Sequence, residues 1–242
     1  MKRITSRKNP VLAEITEISK QPDINGFILE GEKFISDIDP KTIVRLFVTE
    51  PEKYSSLIEK AENAELFDVT AEVMEKISCS TSPSPLLAVV KKKQPPRPEK
   101  IVVLDGIQDP GNVGTIIRTA YAFGFGAVCS ENSANPYSPK AVRSSAGAVI
   151  SAFVERCGAA EYINGLKNDG FTVIGSALDE TAVRLRDCEI PQKTAIVIGS
   201  EGQGMSEKVR KLCDKVVYIP IINVESLNAA VAAGILMERF YK

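Results

Sequence analysis

The 242-residue sequence predicts an α/β protein made of two α/β domains in series. Three observations carry that expectation. Short β-branched apolar runs alternate with amphipathic helical stretches along the whole chain, the pattern of βα units. A proline- and lysine-rich decapeptide, Lys91-Lys-Lys-Gln-Pro-Pro-Arg-Pro-Glu-Lys100, interrupts the alternation once. Beyond it, a strand, a glycine-rich loop and a helix follow one another twice, which makes a parallel sheet the default for the second half. The boundaries read from these features are a first domain over 1–92, a linker over 93–99 and a second domain over 100–242.

In the first domain, Pro10 opens a helical pattern with Leu12, Ile15 and Ile18 on one face. Phe27–Glu30 reads as a strand, 31–38 as a helix and Ile43–Val48 as a strand. A helix from Pro51 to about Ala61, a strand over Glu65–Val69, a helix over Ala71–Ile77 and a strand over Leu86–Val90 complete it. The decapeptide that follows has three prolines and five basic residues, so it reads as a stiff, solvated joint with a possible second role in touching phosphates. The second domain opens on the apolar strand 101–104. A loop over 105–114, a helix over 115–123 and a strand over 126–129 come next. A small-residue segment covers 138–147, and an apolar run covers 149–154. After it come a helix over 159–168 and strands over 171–174 and 194–198. Gly199-Ser-Glu-Gly-Gln-Gly204 is a loop, 205–212 a helix and 216–219 a strand that Pro220 stops, because proline has no N–H for a ladder. The last helix is expected to open at Ser226 and is crowded with alanine, which allows close backbone approach.

Composition excludes several classes. With 30 Lys+Arg against 31 Asp+Glu the net charge is −1, so any nucleic-acid site must be a local basic patch. No apolar run approaches the ~20 residues that span a bilayer, and the basic N-terminus leads into no signal-peptide core. Five widely spaced cysteines fit reduced thiols in a cytosol, and none has zinc-ligand spacing. There is no histidine, so no imidazole-assisted nucleophile or imidazole metal site can be built. The chemistry expected needs no metal and must run on Arg, Lys, Asp, Glu, Ser, Asn and backbone groups, which favours a reaction governed by positioning.

Polar residues follow three strand ends: Asn112 and Arg118 after the first, Glu201 after a middle one, Ser226 and Asn228 after the last. Each has a plain structural role open to it, as a turn residue, surface charge or helix cap. In a parallel sheet, however, these ends gather at one edge. The glycine loops match neither a dinucleotide fingerprint nor a phosphate loop, and Glu201 would repel a pyrophosphate. A cationic or zwitterionic ligand suits them better.

Asp109-Pro-Gly-Asn-Val-Gly-Thr-Ile-Ile-Arg118, Ile198-Gly-Ser-Glu-Gly-Gln-Gly-Met205 and Ile219-Pro-Ile221 with Glu225-Ser-Leu-Asn228 resemble the three ordered motifs of SpoU/TrmH-type RNA 2′-O-ribose methyltransferases, of the SPOUT class. Ile4-Thr-Ser-Arg-Lys-Asn-Pro10, Glu30-Gly-Glu-Lys33, Ser80-Thr-Ser-Pro83 and Ala88-Val-Val90 resemble that family's substrate-binding domain, so the likeness spans nearly the whole chain. It implies a small ribosomal-protein-like α/β domain that binds RNA, followed by a trefoil-knotted methyltransferase domain. It also implies a cytoplasmic homodimer, sites completed across the dimer, and S-adenosylmethionine bound bent in the knot. Residue by residue, it makes Arg118 the catalytic arginine, with Asn112, Glu201, Ser226 and Asn228 shaping its setting. Gly199, Ile219 and Leu227, beside Ile198 and Pro220, would hold the cofactor. The loop 221–225 departs from the family in being short and lacking a glycine. Arg118 is open to two roles, general base or stabiliser of a developing alkoxide; a guanidinium pKa above ~12 favours the second. Arg3, Arg7, Lys8, the 91–93 lysines and Arg143 are the candidate phosphate contacts. Ribosomal RNA is the expected substrate, with a transfer-RNA ribose methyltransferase or a catalytically silent RNA-binding relative as alternatives.

Overall fold

The computed structural model describes residues 1–92, 94–179 and 181–241, so Lys93 of the expected linker and basic run lies outside the described residues. The chain packs as two units: Met1–Lys93 with Tyr137–Ile150, and Gln94–Pro136 with Ser151–Lys242. Leu86–Val90 is the last strand of one sheet and Lys100–Asp105 the first of the other. Packing nevertheless assigns Tyr137–Ile150, inside the expected second domain, to the first unit.

The first unit holds a mixed sheet of β1 (Lys2–Ile4), β2 (Phe27–Glu30), β3 (Ile43–Val48), β4 (Glu65–Val69) and β5 (Leu86–Val90), in the order β1-β4-β3-β5-β2. β1, β4 and β3 run parallel, and β5 runs antiparallel to both β3 and β2. β1 is absent from the sequence reading because it is three residues long and buries only Ile4. Helix Pro10–Lys20 starts where its signals place it: the Asn9 Oδ1 accepts from the Val11 N–H at 3.0 Å, and Pro10 supplies the first helical φ. The Glu30-Gly31 pair is an organiser of local structure. Its carboxylate accepts from Ser78 Oγ (2.6 Å) and from the N–H groups of Cys79 (3.0 Å) and Ser84 (3.1 Å), which fixes the 78–84 loop. Gly31 turns the chain at a φ of 117° that side chains resist.

The segment Tyr137–Ile150 is tied to this unit by three contacts. The Phe27 and Tyr137 rings lie 5.2 Å apart, Arg143 Nη1 donates to the Cys79 carbonyl at 3.4 Å, and Lys92 Nζ donates to the Val149 carbonyl at 2.8 Å. Lys92 is buried, and its burial pushes the ammonium from lysine's ordinary 10.5 down to about 8. This residue of the basic run is therefore committed to packing and does not present a charge to phosphate.

The second unit is a seven-stranded, all-parallel sheet: β6 (Lys100–Asp105), β7 (Gly126–Ser130), β8 (Val154–Cys157), β9 (Thr172–Ser176), β10 (Val183–Arg184), β11 (Thr194–Gly199) and β12 (Lys215–Tyr218). The order is β10-β12-β9-β11-β6-β7-β8. Ile101, Val103, Val173 and Val197 pack on helix Ala159–Asn168. The other face carries helices Pro110–Ala122 and Ala229–Phe240, which also touch each other. Gly234 lies at this contact, where a Cβ would meet the Thr119 methyl at an ordinary packing distance of 3.9 Å. Lys100 Nζ donates to the Phe240 carbonyl at 2.6 Å, satisfying a carbonyl that the helix end leaves without a partner.

Several boundaries differ from expectation: the helix expected from Pro51 begins only at Ser55, and three differences in the second unit bear on the site. The helix expected over 115–123 begins at Pro110, because Asp109 caps it (Oδ1 to the Gly111 N–H, 3.2 Å) and proline fits its first position. Asn112 therefore sits in a helical first turn and not in a loop. The helix expected over 205–212 shrinks to Glu207–Arg210, and the last helix begins at Ala229 with Asn228, not Ser226, as its cap.

Candidate active site at the carboxyl ends of the parallel strands

In the second unit the chain builds outward from β6 through β7 to β8, then returns to β9 on the far side of β11. Strand ends around such a reversal open a crevice that suits a ligand. The loop after β11 is closed on itself: Ser200 N–H donates to the Gly204 carbonyl (3.1 Å) and Gly204 N–H to the Ser200 carbonyl (2.9 Å), with Gly204 at φ 68°. Gly199 lies flat against the returning chain; a Cβ there would stand 2.1 Å from Gly204 C and Met205 N. Asp105, at the end of β6, accepts the Ser206 N–H at 2.7 Å and anchors the loop's far end.

On this loop, Glu201 draws two helix starts together. Its Oε1 accepts from Asn112 Nδ2 at 2.7 Å, Asn228 Nδ2 at 3.0 Å and the Ala229 N–H at 3.2 Å. Asn228 Nδ2 also reaches Asn112 Oδ1 at 3.0 Å. Meanwhile Asn228 Oδ1 accepts from the N–H groups of Ala230 (3.0 Å) and Val231 (3.3 Å), so the residue caps its helix and joins the cluster with opposite ends of one amide. A carboxylate at a helix N-terminus is also favoured by the helix dipole. Glu201→Ala is expected to lower kcat/KM by about 10–100-fold, since a charge-assisted hydrogen bond contributes roughly 1.5–3 kcal/mol. Glu201→Gln should retain more activity, and because residue 201 is exposed, thermal melting should barely move in either variant.

A cavity of about 180 Å³ adjoins this cluster, lined among others by Ile198, Gly199, Glu201, Ile219, Ser226 and Leu227. Pro220 is not among the lining residues, although it follows Ile219 directly. The short loop beyond it makes a left-handed turn at Asn223 (φ 67°), a conformation asparagine tolerates. Arg118 stands apart from both the cluster and the cavity lining. Its side chain is exposed on helix Pro110–Ala122, and among the described residues no hydrogen bond or ion pair holds the guanidinium. Ser176, Leu178, Tyr218 and Glu225 also line the cavity and were not anticipated. Ser176 ends β9 and Leu178 follows it, so the strand-end rule contained the signal; Leu178 is 66% exposed beside it.

The thiols offer no competing chemistry. Burial pushes Cys129 up to about 12 and Cys157 and Cys213 up to about 11, so all three stay protonated near neutrality. Among the described residues no group of three or more His, Cys, Asp or Glu side chains could hold a metal ion, and no helix is long and apolar enough to cross a membrane.

The expected phosphate contacts all lie in the first unit, Arg143 included, because its segment packs there. Arg3 sits on β1 with Asp68 at 3.6 Å and keeps most of its side chain exposed. Arg7, Lys8 and Arg143 are exposed as well.

Residues 99–238 match the model of the SpoU rRNA Methylase family. The 23S rRNA (guanosine(2553)-2′-O)-methyltransferase RlmP of Bacillus subtilis is 29% identical over 248 residues, covering 98% of both proteins. The AdoMet-bound rRNA methyltransferase of Sinorhizobium meliloti superimposes with a TM-score of 0.87 at 26% identity, over 98% of this chain and 96% of that one. The SpoU methyltransferase AviRb of Streptomyces viridochromogenes, in complex with AdoMet, gives 0.82 at 25% identity, over 96% and 97%. A family match over more than half of the chain shows that this protein belongs to the SpoU rRNA methylase family.

Proposed function

We propose that the protein transfers a methyl group from S-adenosylmethionine to a ribose 2′-hydroxyl of ribosomal RNA. The observation that carries the reading is the cavity at the strand ends whose wall holds the Asn112–Glu201–Asn228 cluster. Its chemistry fits the cofactor. Glu201 and Glu225 line it, among the described residues no lysine or arginine does, and carboxylates favour a ligand with sulfonium and ammonium charges. Gly199 lets backbone approach where a side chain has no room. When bound, S-adenosylmethionine supplies an activated methyl on sulfur. The chain's own part is to orient it and to make a ribose oxygen nucleophilic. Gly199, Ile219 and Leu227 present backbone groups to the adenosine. Glu201, with Asn112 and Asn228, holds the two helix starts at a fixed separation. Arg118, exposed and unpaired among the described residues, stabilises the oxygen as its proton leaves and grips a neighbouring phosphate.

Catalysis by Arg118 requires a second copy of the chain. Tyr121, Val231 and Ile235 are exposed on the two adjacent helices, Tyr241 is exposed just past the end of the second, and Tyr121 follows Arg118 by one turn. Covering that face in a homodimer would bury it and carry Arg118 to the partner's cavity. Tyr121→Asp is accordingly expected to yield a monomer in sedimentation equilibrium that has lost most of its activity. A trefoil knot belongs to the same reading: the last segment supplies both the interior strand β12 and the helix that packs against β11. The first unit, with Arg3, Arg7, Lys8 and Arg143, would bind the RNA in the cytoplasm. Full-length likeness to an enzyme named for 23S rRNA supports ribosomal over transfer RNA. The presence of Arg118 and the intact cluster argue against a silent relative.

The test is transfer of labelled methyl to ribosomal RNA. RNA from a strain lacking the gene should accept label, and RNA from the parent strain should not. Equal acceptance by both would contradict the reading.

A further inference from the structure

A second cavity, of about 670 Å³, opens between the loop after β6 and the loop after β11. The function assigned above makes no use of it. Ser200, Glu201 and Gly204 line both this cavity and the cofactor cavity, so one loop forms a wall of each. The remaining walls are fixed by hydrogen bonds. Gly106 and Ile107 N–H groups donate to Ser130 Oγ and Ser133 Oγ, each at 3.0 Å, and the Gln108 side-chain amide donates to the Asn132 carbonyl. Such anchoring holds a pocket in shape before its ligand arrives.

The lining has a definite chemical bias. Among the described residues it contains Asp105, Glu201 and Glu207 and no lysine or arginine, so a phosphate would be repelled. Asp105 is only 7% exposed. Its Oδ2 accepts from the Ser206 N–H, while among the described residues nothing donates to Oδ1. A carboxylate offers about four acceptor sites, so both oxygens can take further N–H groups. The Asn132 and Gln203 side-chain amides line the same space, and among the described residues neither makes a hydrogen bond. A neutral, planar ligand with adjacent N–H donors fits this set.

We propose that this cavity receives the base of the target nucleotide, and that Asp105, helped by Asn132 and Gln203, selects guanine. The proposal rests on the ribose-methylation reading. Enzymes that modify a nucleotide draw it out of its stack and read its edge in a pocket. With the base here, the attached ribose lies at the shared loop, next to the methyl donor. Guanine alone among the four bases presents two neighbouring donors, N1–H and the N2 amino group, to a carboxylate. Adenine and cytosine pair one donor with an acceptor, and uracil flanks its single N–H with two carbonyls.

The experiment uses the full-length protein, S-adenosylmethionine labelled in its methyl group, and ribosomal RNA from a strain lacking the gene, digested to nucleosides after reaction. Label is expected in 2′-O-methylguanosine alone. Asp105→Asn, Asn132→Ala and Gln203→Ala should each lower kcat/KM for RNA by roughly tenfold or more, mainly through KM, because a polar reading group left without its partner costs about that much. The affinity of Asn132→Ala and Gln203→Ala for S-adenosylmethionine, measured by calorimetry, should stay at the wild-type value. Asp105→Asn should also place label in other 2′-O-methylnucleosides. Residues 132 and 203 are exposed, so their variants stay informative if Asp105→Asn fails to fold. Wild-type label in 2′-O-methyluridine, -cytidine or -adenosine would overturn the assignment and leave ribose methylation standing. Unchanged RNA kinetics in both exposed-site variants would do the same. Label on a base would overturn the functional reading, and this proposal with it.

Discussion

Arg118→Ala is expected to lower kcat for methyl transfer by about 10²–10³, the range for removing one preorganised donor to a developing oxyanion. Fold and cofactor affinity should survive. The side chain is exposed, holds nothing in place among the described residues and does not line the cofactor cavity, so its removal leaves neither a void nor an unpaired buried group. Calorimetric titration with S-adenosylmethionine and thermal melting should therefore match wild type while turnover collapses. Arg118→Lys separates two roles. A lysine keeps the charge but loses the planar fork that grips phosphate and oxyanion together, so it should recover only a small part of the loss. Near wild-type turnover in that variant would remove any special role for the guanidinium.

Gly199→Ala should act in the opposite way, through the architecture. The added methyl would stand 2.1 Å from two backbone atoms of residues 204 and 205, which cannot rotate aside as a side chain would. The closed loop must open, taking Glu201 away from Asn112 and Asn228. Overpacking of this kind costs typically 1–3 kcal/mol, and melting should fall by roughly 5–10 °C for a chain of this length. Cofactor affinity should drop with it. Gly202 on the same loop provides the control, because a Cβ there meets nothing within 4 Å. Gly202→Ala should melt and bind like wild type. If the two variants behave alike, the close approach at Gly199 is not what shapes the cavity.

Much of the site was legible because it sits at strand ends, and strand ends are marked in sequence by glycine and proline. Gly199 and Pro220 each close an apolar run, and the polar residues just beyond them could be paired by the parallel-sheet rule alone. What sequence could not show was how one residue serves two purposes. Capping and site-building were alternatives for Asn228 on paper, and its amide does both at once, one end to Ala230 and Val231 and the other to Glu201 and Asn112. Short or exposed strands were also lost. Val183–Arg184 has two residues, both exposed, and Val154–Cys157 buries only one of four, so neither carries a hydrophobic period. The transfer of Tyr137–Ile150 to the first unit was invisible for a different reason. It depends on contacts far apart in sequence, Phe27 with Tyr137 and Lys92 with Val149, which no local pattern encodes. The same distance effect turned Lys92 from an expected phosphate contact into a buried tie.

Position of the methyl group on RNA tests the central claim most directly. Ribosomal RNA labelled by the wild-type protein is hydrolysed in alkali, which cleaves every phosphodiester whose neighbouring 2′-hydroxyl is free. Transfer to a ribose oxygen predicts that the label runs with alkali-resistant dinucleotides. Label recovered in mononucleotides would place the methyl on a base and contradict the account.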